Sequence, residues 1–159
     1  MPLDSEVRIE GPFGNLTLHK NTARPAVLLT GGIGITPFRS IVVSATKEKL
    51  ARRIFLFYSN RRPEDTAFLQ ELEALETQNA NFILIATMTE LEKSARPWKG
   101  EVGMIDYKMI NRHLKAVASP ERPIYFIAGP PQMVRDLQTM LTNEGVDSED
   151  IRTEEFSGY

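Results

Sequence analysis

Three glycines in four positions, Gly31, Gly32 and Gly34, follow the apolar run 26–30 and lead into Thr36-Pro37 and a helical pattern. A glycine-rich loop between a strand and a helix can hold a phosphate. Glycine lets the anion approach the backbone, and the free N–H groups of the helix start face it. Gly32 and Gly34 form G-x-G, but Pro37 occupies the third glycine position of the usual dinucleotide fingerprint. No Gly-Lys-Ser/Thr follows, which excludes a nucleoside-triphosphate loop. On its own the stretch is either a phosphate cradle or a tight turn that needs positive φ. A second loop, Gly129-Pro130-Pro131-Gln132-Met133, follows a later apolar run. Gly129 frees the backbone there and two prolines stiffen the turn ahead of a helix. Asn60-Arg61-Arg62 ends a third run, and arginine forks suit phosphate.

Other chemistries are poorly supplied. The 159 residues include no cysteine, which excludes disulfides, thiolate metal sites and cysteine nucleophiles. His19 and His113 have no metal-ligand spacing around them, so no metal site is expected. With 19 basic and 21 acidic residues the net charge is −2, which gives no electrostatic reason to bind nucleic acid. No apolar run approaches the ~20 residues of a membrane span, and no signal peptide is apparent. A cytoplasmic enzyme or binding domain is the expectation.

The elements that must position these loops are legible as alternation. Five runs have strand length: 26–30, 54–59, 82–87, 123–128 and 151–156. The first four are almost continuously apolar, as in strands covered on both faces. Between them lie helical repeats: Phe38, Ile41, Val42 and Ala45, then Phe68, Leu72 and Leu75, then Met109, Ile110, Leu114 and Val117. Met133, Leu137, Met140 and Leu141 form a fourth. Thr36-Pro37 suits N-cap and first helical position. Pro63 with Glu64 and Asp65 suits the next helix's first turn, and Gly145 should stop the last helix. The pattern predicts an α/β fold: a Rossmann-like open parallel five-stranded sheet with helices on both faces. Residues 7–20 read as a short N-terminal β segment around a Gly-Pro turn. Residues 90–104 read as a polar loop that carries Trp98.

Five blocks occur in one order: GPFG at 11–14, TGGIGITPFRS at 30–40, YSNRRPEDTAFLQEL at 58–72, FIAGPPQMV at 126–134 and EEFSGY at 154–159. Together they resemble the NAD(P)H-binding half of the ferredoxin–NADP reductase superfamily, over roughly residues 7–159. The resemblance implies an enzyme of two domains, a flavin-binding β-barrel followed by a Rossmann-like nucleotide domain. Hydride then passes from nicotinamide C4 to flavin N5, and electrons leave singly or in pairs to an acceptor such as ferredoxin or another redox protein. The flavin signature Arg-x-Tyr-Ser/Thr is absent from the chain. Residues 1–24 are therefore expected to be the last strands of that barrel and 25–159 the NAD(P)H-binding domain. The chain is expected to be a fragment of a longer reductase, with FAD held in the full-length protein.

The resemblance also implies roles. Thr30, Gly31, Gly32, Gly34 and Thr36 match the pyrophosphate loop, with Pro37 in the family's N1 place. Asn60 and Arg61 follow the second strand, where Arg61 approaches the pyrophosphate or caps the next helix. Gly129, Pro130, Pro131 and Met133 match the loop beside the nicotinamide. Many relatives carry cysteine before that glycine, where this chain has Ala128. Glu154 and Phe156 match the Glu-x-aromatic end. Phe156 would cover the flavin ring and Glu154 would act as a polar or proton-relay group at the hydride-transfer site; a core strand residue and a surface carboxylate are the plain alternatives. The family reads the adenosine 2′-phosphate mostly after the third strand, where this chain aligns Thr89, Glu90, Val102 and Met104. Glu90 would repel a phosphate and can accept from a ribose 2′-OH, so NADH is expected ahead of NADPH. A non-catalytic nucleotide-binding or interaction module on the same fold is the alternative. A short-chain dehydrogenase is not supported, because neither G-x-x-x-G-x-G nor Tyr-x-x-x-Lys is present. His19 and His113 are expected to be structural. Trp98 is expected to lid the sheet edge, with a place beside adenine as its alternative.

Overall fold

A computed structural model describes Arg8 and residues 16–116 and 121–156. The GPFG block, Val117 and Ser157–Tyr159 lie outside the described residues. Six parallel strands form one sheet: β1 (Ala26–Gly31), β2 (Ile54–Asn60), β3 (Phe82–Met88), β4 (Glu101–Val102), β5 (Ile124–Gly129) and β6 (Ile151–Glu155), in the order β4-β3-β2-β1-β5-β6. Four helices connect them: α1 (Ile35–Lys47), α2 (Leu69–Gln78), α3 (Tyr107–Lys115) and α4 (Pro131–Asn143).

Alternation of side chains along each strand separates two cores. Leu28, Leu56, Tyr58 and Phe126 face Phe38 and Val42 of α1 and Leu72 of α2. Leu29, Phe57 and Ile127 face Ile110 of α3 and Val134 and Leu137 of α4. The central strands are thus covered on both faces, which is why their runs lack polar alternation. Chain order moves outward from β1 through β2 and β3, then returns to the other side at β5. The β1/β5 border is therefore the topological switch point, where open α/β sheets bind ligands beyond the carboxyl ends of the strands.

Four expectations need correction. The sheet has six strands rather than five, because the 90–104 loop contains β4, whose two residues pair only with Thr87 and Met88. Two residues are too short for a period to register. Thr36-Pro37 is not N-cap and first position: Gly32–Gly34 already form a 3-10 turn, Gly34 caps α1, and Pro37 is its third residue. Proline is tolerated there because the first-turn N–H groups have no intrahelical partner. Pro63–Asp65 is a separate 3-10 turn, and α2 begins only at Leu69. The Tyr58 hydroxyl holds the intervening chain by accepting from Ala67 N at 3.1 Å and donating to Ala67 O at 3.3 Å. The described end of the expected N-terminal β segment, residues 16–20, is not a strand.

That end is nonetheless tied down. Leu16 and Leu18 pack on the α1-side core, and the buried Arg52 guanidinium donates to the carbonyls of His19 and Asn21. Gly145, at φ 83, closes α4 as expected. Among the described residues no helix is long and apolar enough to cross a membrane.

Candidate functional site

The two glycine loops meet at the switch point because their backbones pack without side chains between them. A Cβ on Gly34 would fall 2.5 Å from Ala128 O and 2.7 Å from Gly129 Cα. A Cβ on Gly31 would strike the Met133 sulfur at 2.6 Å. Gly32, at φ 54, behaves differently: it is exposed and nothing lies within 4 Å of its Cβ position. Its backbone is turned toward open space, as an anion-holding loop requires. The N-termini of α1 and α4 both begin at this border.

A cleft of about 670 Å³ opens there, walled by Gly31, Gly32, Asn60, Arg61, Thr89, Glu90, Pro130 and Met133. Eight residues expected from the sequence thus share one cavity. Arg62, whose fork suits phosphate, also lines it, together with four residues that were not expected at a site: Ile33, Ser59, Asp65 and Lys93. The spacing of Arg62 to Asp65 and of Glu90 to Lys93, i to i+3 with opposite charge, was the available signal for four of the wall residues.

Electrostatics divide the cleft. Arg62 is bidentate with Asp65, both contacts at 2.9 Å. Lys93 Nζ donates to Glu90 Oε2 at 2.8 Å. That hydrogen bond, with the nearby charges of Lys93, Arg61 and Arg62, holds the Glu90 carboxyl below the usual glutamate range, so it is an anion at neutral pH. Thr89 N and Oγ1 both donate to Asn60 O, at 2.9 and 3.3 Å, which closes the ends of β2 and β3 together. Asn60 Nδ2 is buried and lies next to the Tyr58 hydroxyl.

The remaining expected residues sit around the cleft rather than in its wall. Thr30 is fully buried, and its hydroxyl donates to Ala128 O at 2.8 Å, tying β1 to β5. Its side chain therefore does not face the cleft. Gly34 is buried beneath the loop, and Thr36 is exposed in the first turn of α1. Gly129 ends β5 at φ 155, and Pro131 begins α4. β6 brings Glu154 into register with Ala128, while Phe156 N donates to Gly129 O at 3.0 Å. Both side chains are half-buried, and Phe156 packs on the α1-side core. They lie at the carboxyl end of the sheet but outside the cleft wall.

A larger cavity, about 980 Å³, lies on the α2 flank, lined among others by Phe68, Leu84 and Trp98. Neither of the two glycine loops reaches it. Trp98 belongs here. Its Nε1 donates to Glu101 O at 2.8 Å, and its ring lies on Gly100 beside Ala86 of β3. It covers the sheet edge and does not line the cleft. His113 is structural, with Nε2 2.7 Å from Glu101 Oε1 and its ring edge-on to Phe57.

Residues 28–139, which run from β1 through most of α4, match the family described as the oxidoreductase NAD-binding domain. The chain belongs to that family. This NAD-binding domain is 30% identical over 154 residues to a subunit of the Na(+)-translocating NADH-quinone reductase of Methylococcus capsulatus, and 29% identical to the corresponding subunit from Pasteurella multocida. Each alignment covers 96% of this chain and 37% of the relative, so the chain spans little more than a third of these curated relatives. The ferredoxin reductase in carbazole 1,9a-dioxygenase superposes with a TM-score of 0.71 at 26% identity, over 92% of this chain and 42% of that one. The flavohemoglobin of Malassezia yamatoensis, solved with FAD and heme, shares the fold: TM-score 0.76 at 22% identity, covering 97% of this chain and 39% of that one.

Proposed function

We propose that this chain is the dinucleotide-binding part of a flavin-dependent reductase that takes hydride from NADH, ahead of NADPH. The observation that carries this reading is the cleft itself: two glycine loops and two helix starts converge on it at the switch point of the sheet. In this reading Gly31, Gly32 and Gly34 with Thr36 hold the pyrophosphate, and Asn60 and Arg61 wall the same cleft. Glu90, already anionic, accepts from the ribose 2′-OH and repels a 2′-phosphate, with Thr89 beside it. Gly129, Pro130, Pro131 and Met133 flank the nicotinamide.

Residues 1–24 are the end of a flavin barrel and 25–159 the dinucleotide domain. A flavin domain in the full-length protein would hold FAD, which would take up the hydride and supply electrons, singly or in pairs, to an acceptor such as a redox protein. In this reading Phe156, at the carboxyl end of β6, would cover the flavin ring, and Glu154 would serve as a polar or proton-relay group. The reading carries a cytoplasmic location with it. Calorimetric titration of the domain with NAD⁺ and, separately, NADP⁺ tests the cleft. Saturable binding that favours NAD⁺ is expected, and tighter NADP⁺ binding overturns the assignment of Glu90. Restoring the upstream residues of the gene product tests the enzyme. A yellow protein bleached by NADH is expected, and a colourless one with no diaphorase activity leaves only a nucleotide-binding module.

A further inference from the structure

Met133, in the first turn of α4, is half-buried and lines the cleft. Its sulfur takes the space that a side chain on Gly31 would need and stands near the place of one on Gly129. It lies 2.6 Å from the Cβ position of Gly31 and 3.5 Å from that of Gly129. One thioether therefore packs against the ends of β1 and β5 where the cleft begins. The other described methionines are placed differently. Met88 and Met109 are buried, and Met140 packs half-buried on the α4-side core. Met104 is 79% exposed but does not line the cleft. With no cysteine in the chain, thioethers are its only sulfur groups.

We propose that Met133 is a modification site: a peroxide oxidises its thioether to the sulfoxide, and dinucleotide binding in the cleft is lost. The inference rests on the dinucleotide reading of that cleft. The sulfur lone pair attacks one peroxide oxygen, the O–O bond breaks and an S–O bond forms. Sulfur gives up two electrons, and for hydrogen peroxide the departing hydroxide takes the proton of the transferred oxygen and leaves as water. The product is a polar, chiral side chain that methionine sulfoxide reductases restore. Met133 lines the cleft, so its sulfoxide oxygen adds a polar group beside the glycine loops. There its negative end competes for the loop N–H groups and repels a pyrophosphate. A bound dinucleotide covers the same sulfur, so ligand and oxidant exclude each other.

The test uses the chain carrying M104L and M140L, which leaves Met133 as the accessible methionine among the described residues. The protein is treated with hydrogen peroxide, oxidation is mapped by peptide mass spectrometry, and NAD⁺ affinity is measured by calorimetry. Affinity is expected to fall about tenfold or more in proportion to Met133 sulfoxide. It should recover with methionine sulfoxide reductases A and B, and saturating NAD⁺ during treatment should slow Met133 oxidation. The same protein with M133L added should keep its own starting affinity, whatever that is, through the treatment. Full oxidation of Met133 with unchanged affinity overturns the proposal. So does a Met133 that resists peroxide, or an equal loss in the M133L protein. Untreated protein that binds neither NAD⁺ nor NADP⁺ overturns instead the reading beneath it.

Discussion

Gly34→Ala isolates the contact that builds the cleft. Gly34 has φ −58 and ψ −8, a conformation open to alanine, so the substitution adds no backbone strain. Its whole cost is steric. The new methyl would stand 2.5 Å from Ala128 O and 2.7 Å from Gly129 Cα, against 3.4 Å for ordinary contact. Both obstacles are backbone, and the Ala128 carbonyl is also held by the Thr30 hydroxyl. The two loops must therefore part by about 0.9 Å. Overpacking of this kind costs about 1–3 kcal/mol of stability. Parting the loops also stretches hydrogen bonds to a bound phosphate beyond useful length, and a bond to a charged group is worth about 1.5–3 kcal/mol, or roughly ten- to hundredfold in affinity. Gly32→Ala is the contrasting case. Its methyl meets nothing within 4 Å but requires φ 54, which costs about 1–2 kcal/mol and places the methyl where the ligand should lie. Urea denaturation gives the stabilities and calorimetry with NAD⁺ gives the affinities. Gly34→Ala should lower both. Gly32→Ala should weaken binding more than its stability loss explains. Wild-type NAD⁺ affinity in Gly32→Ala would refute the argument that a ligand comes close to this loop.

Three further substitutions probe separate features. Glu90→Arg removes the anion beside Arg61 and Arg62 and releases Lys93, so the ratio of NADP⁺ to NAD⁺ affinity should rise about tenfold by calorimetry; an unchanged ratio removes Glu90 from the 2′ position. Lys49, exposed just beyond α1, has φ 52, and Lys49→Gly should stabilise the domain by about 0.5–1 kcal/mol in urea denaturation; destabilisation would show that the lysine makes contacts worth more than the strain. Glu101 is held below its usual value, first by the hydrogen bond from His113 and then by Arg112, so its contribution to stability is complete above pH 4.5 and disappears as pH falls through the depressed value. The gap in melting temperature between wild type and Glu101→Gln should accordingly narrow as pH is lowered below 4.5, and a gap independent of pH would show that the charge is not what matters.

The parts legible in the sequence are those whose burial is imposed by the architecture. β1, β2, β3 and β5 are sandwiched between helices, and their apolar runs follow from that alone. The cleft was legible for a related reason. A glycine that must let two backbones touch cannot be replaced without moving them, so Gly34 stands out by type, and Gly31 beside it leaves room for the Met133 side chain. What escaped was set by contacts distant in sequence. The start of α2 is delayed because Tyr58, nine residues before Ala67, captures that residue's N–H and carbonyl, and the chain then passes through a left-handed Phe68 that no local propensity favours. Phe68 is held there by the Arg39 guanidinium, 4.9 Å from its ring centroid, which also grips Glu71 with two bonds of 2.6 and 2.7 Å. β4 depends likewise on Glu101 meeting Arg112 and His113 of α3, and on the Thr87 hydroxyl reaching Gly103 O at 2.6 Å. The same distinction explains Thr30. By position it belongs to the phosphate loop, but its hydroxyl bonds a carbonyl on the strand across the switch point. Its contribution to any ligand is to keep Gly31 and Gly129 at the distance that makes the cleft, a role carried by the pairing of two strands and therefore invisible in either one.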